Sequence, residues 1–416
     1  MTAFPPMRVV RYRFPRPRVC DPARAVAGAL AGLDLGSRVR GRRIALTAGS
    51  RGIADIATAF EVAAAVLRDL GAKPVIVAAM GSHGGGTGDG QRRVLAHLGI
   101  TEERMGAPVS TGTETVVVGR TLDGLDAFCD ATAASCDGIL VVNRIKPHTA
   151  FAEPFGSGLM KMLAVGLGKV EGAAQIHRLG PARLPEAIRA IAQVHLDAGM
   201  VVGGLAILEN AYGETARVEA VAPSDLIERE LQLFQGARRL LPRLPVDELD
   251  VLVVDEMGKV YAGTGMDPAV IGRYRIPGLP EPIAPRIQRI VVLRLSPRSE
   301  GNAQGIGLAD LTTQRLVEAM DRRATYLNTI TSTFLQRGFI PITLPSDREA
   351  IATALDTLGL HDPRRARLVR IPNTAHLERL LASETVAEEI RGQIGVEVGP
   401  EVPWVFAPDG DLADLA

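Results

Sequence analysis

RIALTAGSRGIADIATAFEVAAAVLRDLGAKPVIVAAMGSHGGG runs from Arg43 to Gly86. It opens with a short apolar run, Arg43–Thr47, passes through an alanine-rich segment of helical period, Ile56–Leu70, and returns to a second short apolar run, Pro74–Ala79. The flanking runs are too short for helices and the middle one too long for an ordinary strand, so the stretch predicts strand, helix, strand. Each predicted strand ends in a loop of small residues, AGSRG after the first and MGSHGGG after the second. In α/β sheets ligands gather at such carboxyl ends.

The alternation continues along the chain. Gly138–Val142 and Val201–Leu208 read as strands, and Gln91–Leu98 and Leu184–Leu196 as helices. This pattern argues for a largely parallel sheet covered on both faces. A helical stretch, Ser224–Leu240, leads into LLPRLPVDELD, whose prolines and charges make a linker. A second series begins with DVLVVDE at 250–256 and runs through the strand Ile290–Leu295, the helix Leu308–Met320, the strand Phe339–Leu344, the helix Asp347–Leu358 and the strand Ala366–Ile371. NTAHLERLL at 373–381 reads as a further helix capped by Asn373 or Thr374. The expected architecture is two α/β domains with largely parallel sheets, residues 1–245 and 246–416, and a ligand cleft between them.

Composition excludes several classes. With 47 basic and 47 acidic residues, 46% apolar and 23% charged, the chain is neither disordered nor an obvious binder of nucleic acid. Three cysteines make no disulfide framework, the Pro- and Arg-broken N-terminus lacks a signal peptide's apolar core, and no uncharged apolar run is long enough for a membrane. A cytoplasmic protein is expected. Only five of the 47 basic residues are lysine, and three of them (Lys146, Lys161, Lys169) fall within a short window. A chain that otherwise uses arginine keeps lysine where chemistry needs a titratable, nucleophilic amine.

Candidate residues sit on the loops. Arg51, alone among small residues, is placed to grip a carboxylate or phosphate through two parallel hydrogen bonds, or is a plain surface charge. Six glycines in residues 81–90 surround His83, a candidate general base; an ordinary flexible loop is the alternative. NRIKPHTAFAEPFGSGLMKMLAVGLGKVEGAAQIHR, from Asn143 to Arg178, carries His148, Lys161 and His177. Its Gly156, Ser157 and Gly158 offer amides to a phosphate at a helix start, without forming a Walker loop. DEMGKVYAGTGMD at 255–267 places Lys259 on a further loop after a strand.

Taken in order, these loops resemble the family of nickel-pincer-nucleotide-dependent lactate racemases over essentially the whole chain. The matching features are an Arg loop ahead of a Gly-Ser-His loop, a Pro-His pair, a glycine-rich segment ending in Lys161, and His177 sixteen residues later. The resemblance implies an isomerase that inverts carbon 2 of a 2-hydroxy acid by hydride transfer to and from a pyridinium-3-thioamide-5-thiocarboxylic acid mononucleotide carrying nickel. It implies that Lys161 is the covalent tether, His177 a nickel ligand, His83 and His148 the acid/base pair, and Arg51 the grip on the substrate carboxylate. The N-terminal domain would then be catalytic and the C-terminal one would close over the substrate, with cofactor-maturation proteins as partners and an apo chain where they are missing.

Departures bear on the substrate. The family's first loop reads Thr-Arg-Pro after an acid, whereas here Ser50 and Gly52 flank Arg51. The segment between His148 and Lys161 is longer and holds Glu153, and GKVYAGTGMD replaces a Tyr-Gln-x-x-Lys pattern, with Lys259 as a substitute cation. These changes favour another 2-hydroxy acid or a sugar acid over lactate. Two other readings stay open: an enzyme using Lys161 as a Schiff-base amine, and a two-domain anion sensor without turnover.

Overall fold

The computed structural model describes residues 3–148, 154–413 and 415. Glu153 lies outside them. The chain divides into two compact units, Arg16–Leu241 and Pro242–Ala416, the latter joined by Met1–Pro15. Each is α/β with a largely parallel sheet. The division after Leu241 falls at the start of the proline-bearing linker, but the first fifteen residues depart from the 1–245 expectation. The strand Met7–Tyr12 lies between Arg379–Ser383 and Val396–Val402, antiparallel to both. Its alternation is visible locally, whereas its partners are set by pairing at the far end of the chain.

In the unit Arg16–Leu241 the sheet runs Val109–Ser110, Lys73–Ala78, Arg43–Ala48, Gly138–Arg144, Val201–Glu209, Thr215–Val221, and only the last strand is antiparallel. Successive side chains point to opposite faces. Ile44, Leu46, Ile76, Leu140 and Val142 therefore pack in one core with the helices Pro22–Ala31 and Ile56–Asp69. Ala45, Val75, Val77, Ile139 and Val141 pack in the other, with Leu184–Asp197 and Leu226–Leu240. Each buried Val, Leu or Ile contributes about 1.5–3 kcal/mol, so the double cover holds the strand ends rigid.

The second unit has an eight-stranded sheet, ordered Ile342–Leu344, Leu311–Thr313, Arg286–Leu295, Glu248–Met257, Leu368–Ile371, Arg379–Ser383, Met7–Tyr12, Val396–Val402. The first five are parallel and the rest antiparallel. Two expected helices are corrected here. Within 308–320, Leu311–Thr313 is a strand and the α-helix is confined to Gln314–Glu318, because Thr312 and Thr313 donate to Val292 and Leu293 carbonyls across the sheet. At 373–381, Asn373 accepts from the amides of Ala375 and His376, which closes a turn before the strand Arg379–Ser383. Among the described residues no helix is long and apolar enough to cross a membrane.

Candidate functional site

The order of the six-stranded sheet reverses between Arg43–Ala48 and Gly138–Arg144. From the first the chain moves outward to Lys73–Ala78, and from the second it moves the other way to Val201–Glu209. The loops leaving the two strands diverge at such a point and open a crevice at their carboxyl ends. The first loop carries Ser50 and Arg51, and the second carries His148. The neighbouring strand Lys73–Ala78 leads into the loop of His83.

Ser50 Oγ and His83 Nδ1 are hydrogen-bonded, so the hydroxyl orients the ring. The glycine-rich loop behind His83 is anchored from below. Gln91 donates to the Gly81 carbonyl at 3.2 Å, and Lys169 Nζ reaches both Gln91 Oε1, at 3.2 Å, and the Ala78 carbonyl. Lys169 also pairs with Asp130 at 3.0 Å, both side chains 1% exposed. Arg51 is exposed at its surface, yet its guanidinium is held below its usual range, first by desolvation and then by Arg144. Arg144 pairs with Glu209, whose other oxygen accepts from the Ala54 amide at 2.7 Å and so fixes the loop beyond Arg51.

Lys161 ends the short helix Leu159–Lys161, and a π-helical turn, Met162–Gly166, separates it from the helix Lys169–Arg178 that carries His177. Turns of this kind cluster at functional sites. Lys161 Nζ lies 2.5 Å from His148 Nε2. Burial, and after it the charge of Arg51, pushes the Lys161 amine down to about 7. Burial and then Lys161 lower His177, whose Nδ1 is buried without a hydrogen-bond partner. Through these couplings Arg51, His148, Lys161 and His177 form one group of basic side chains, and His83 joins it through Ser50, the neighbour of Arg51.

The Gly156, Ser157 and Gly158 segment is used differently from the expected phosphate cradle. The Ser157 amide donates to Lys146 and its carbonyl accepts from Lys146, at 2.8 and 2.9 Å. A Cβ on Gly156 would stand 2.1 Å from the Lys146 carbonyl oxygen. The next helix start is filled by Glu230, which is fully buried, accepts from the Met160 amide at 2.8 Å and keeps Oε1 unpartnered. Burial raises its carboxyl to about 7 against the opposing pull of the Met160 and Leu159 amides. A Cβ on Gly158 would come within 2.0 Å of Glu230 Oε1, so glycine is what lets the carboxylate approach. The amides of Ser157 and Met160 thus have partners inside the protein.

Lys259 belongs to the other unit, where its Nζ donates to Asn328 at 2.5 Å and its amide to Ser299 at 2.9 Å. Sequence reasoning missed Arg144, Glu209, Glu230 and the Lys169–Asp130–Gln91 group. A buried acid in an amphipathic helix leaves no local signal. The scarcity of lysine did single out Lys169, but without a role.

Among the described residues no three His, Cys, Asp or Glu side chains gather as a metal site. A metal here would need ligands from a bound group, and His177 suits one remaining position. It has an unpaired buried nitrogen, and its lowered pKa keeps the imidazole in the neutral form that binds metals. The Lys161 amine, which acts electrostatically on His177 and lies near 7, is in large part neutral at physiological pH and nucleophilic.

No protein-family model and no curated protein sequence matches the chain. Among solved structures, the apoprotein of lactate racemase from Thermoanaerobacterium thermosaccharolyticum aligns over 89% of this chain and 98% of its own, with TM-score 0.53 and 12% identity. The two share a fold. At this identity the likeness is one of architecture, and the chemistry rests on the residues described above.

Proposed function

We propose that the protein is a racemase or epimerase of a 2-hydroxy acid, working with a nickel-pincer nucleotide tethered to Lys161. One observation carries the reading: Lys161 Nζ meets His148 Nε2, Arg51 and His177 are each electrostatically coupled to that lysine, and His177 keeps a buried nitrogen without a partner. The fold shared with a lactate racemase supports it. Lys161 would hold the group covalently and His177 would complete the nickel's ligands. When bound, the group supplies a hydride acceptor, which this chemistry needs because a C–H beside a hydroxyl and a carboxylate is too weakly acidic for an imidazole.

The protein's own residues do the rest. Arg51 binds the substrate carboxylate and fixes carbon 2. One of His83 and His148 takes the hydroxyl proton, and the other returns a proton after the planar 2-keto acid has turned. Two bases serve because the two enantiomers present their hydroxyls in different directions. Ser50 holds the His83 ring in place. Ser50 and Gly52 beside Arg51 favour a 2-hydroxy acid or sugar acid other than lactate.

The test is mass spectrometry and metal analysis of the chain matured with cofactor-synthesis enzymes. An adduct on Lys161 with one bound nickel is expected, and an unmodified Lys161 without nickel overturns the proposal. Loss of optical purity across a panel of 2-hydroxy and aldonic acids then names the substrate. The lowered amine also suits a Schiff base. Trapping of a carbonyl compound on Lys161 by borohydride would favour that reading, which leaves His177 without a role.

A further inference from the structure

We propose that His148 is the general base for loading Lys161, so that the chain catalyses its own acylation at that lysine. The inference rests on reading Lys161 as the anchor of a covalently held group. It begins from the contact between Lys161 Nζ and His148 Nε2 at 2.5 Å. Two groups that are both commonly cationic cannot meet nitrogen to nitrogen with both protonated, because a hydrogen bond needs a lone pair on one side. The pair therefore carries at most one positive charge. With one, it is either a neutral amine beside an imidazolium or an ammonium whose proton points at a neutral imidazole, and with none the amine is already free to react. A lysine kept ready in this way does more than hold a charge, since a charge alone would be met better by one of the many arginines.

The surroundings fit acyl transfer. The Arg51 guanidinium acts electrostatically on Lys161, so a positive charge is available to offset an anionic leaving group. The donor is an acid activated at its carboxyl or thiocarboxyl carbon, of the acyl phosphate or acyl adenylate class. Nζ attacks that carbon and the new C–N bond forms. The bond from carbon to the leaving oxygen breaks with its electron pair on that oxygen, and the proton lost by Nζ passes to His148 Nε2 and on to solvent. Nothing is oxidised or reduced, and the products are an amide on Lys161, or a thioamide from a thiocarboxyl donor, and a free phosphate or nucleotide. His177, with no partner for Nδ1, makes no comparable contact.

The test uses the full chain, made without maturation enzymes and treated with acetyl phosphate at neutral pH. Peptide mass spectrometry follows Lys161 against Lys73, an exposed lysine at a strand start that serves as the internal reference. Lys161 is expected to acetylate faster than Lys73. His148→Ala and His148→Gln should slow Lys161 by about 100-fold, the usual worth of a general base, and leave Lys73 unchanged. A wild-type Lys161 no faster than Lys73 overturns the proposal without any variant. So does either variant that melts like the wild type and still acetylates Lys161 within about twofold of its rate. Maturation separates this inference from the functional proposal. An adduct forming at the wild-type rate in His148→Gln removes only the role of His148, whereas no adduct in the wild type removes the anchor itself.

Discussion

The carboxyl of Glu230 and the amine of Lys161 are displaced in opposite directions and meet near 7, the first raised from 4.5 and the second lowered from 10.5. For Glu230 the native state holds its proton more tightly than the unfolded chain does. Stability from this group therefore falls as pH rises from 4.5 to about 7, and the penalty is complete above that. Glu230→Gln removes the titration and keeps an oxygen for the Met160 amide. Urea unfolding should find variant and wild type alike near pH 4.5 and the variant more stable above pH 7, with the difference growing between those limits. A constant difference across that range would contradict the burial of an ionisable carboxyl. Arg51, His83 and His148 could be singled out because they stand on loops after predicted strands, whereas Lys161 and His177, which lie on helices, stood out only by the spacing that carries the resemblance. Glu230 did not stand out, since it caps a helix start 70 residues before it in the chain, and at its own position it reads as one more acid on an amphipathic face.

Among elements, the α–π–α segment from Leu159 to Arg178 shows how close approach sets geometry. Gly158→Ala would drive a Cβ to 2.0 Å from Oε1 of Glu230, a side chain that is fully buried and held by the Met160 amide. Overpacking of this kind costs about 1–3 kcal/mol. The measurable result is a lower melting temperature together with a slower Lys161 reaction toward acetyl phosphate. Lys169→Met leaves Asp130 buried without its cation. Breaking a buried pair from one side costs about 3–5 kcal/mol, and because Lys169 also holds Ala78 and Gln91, hydrogen exchange should rise in the loop at 81–86. Unchanged exchange there would mean that the loop has another anchor. The βαβ unit at 43–78 was readable from its period, since its strands are mostly apolar after a charged first residue and its helix is amphipathic. The strand Arg379–Ser383 was not, because RLLAS carries no signal that outweighs a helix until Met7–Arg11 and Val369–Arg370 pair with it.

For the whole molecule, that pairing predicts unequal autonomy of the two units. Residues 16–241 contain their own sheet and both of its covering layers, so this fragment should fold and melt cooperatively by itself. Residues 242–416 lack Met7–Tyr12, the strand that joins Val396–Val402 to the rest of the sheet. They should be protease-sensitive alone and become resistant when residues 1–15 are supplied through a linker; resistance without them would show that the outer strand does not depend on Met7–Tyr12. The sequence by itself determined the α/β class, the parallel strands with their loops, and the kinds of side chain the site would use, because period and loop chemistry are local properties. Only the tertiary structure decided that the N-terminal strand serves the far end of the chain, that Lys161 meets His148, and that Glu230 closes the helix beneath them. Those outcomes depend on which distant surfaces find each other, and burial gives a glutamate or a lysine its new chemistry only after they have.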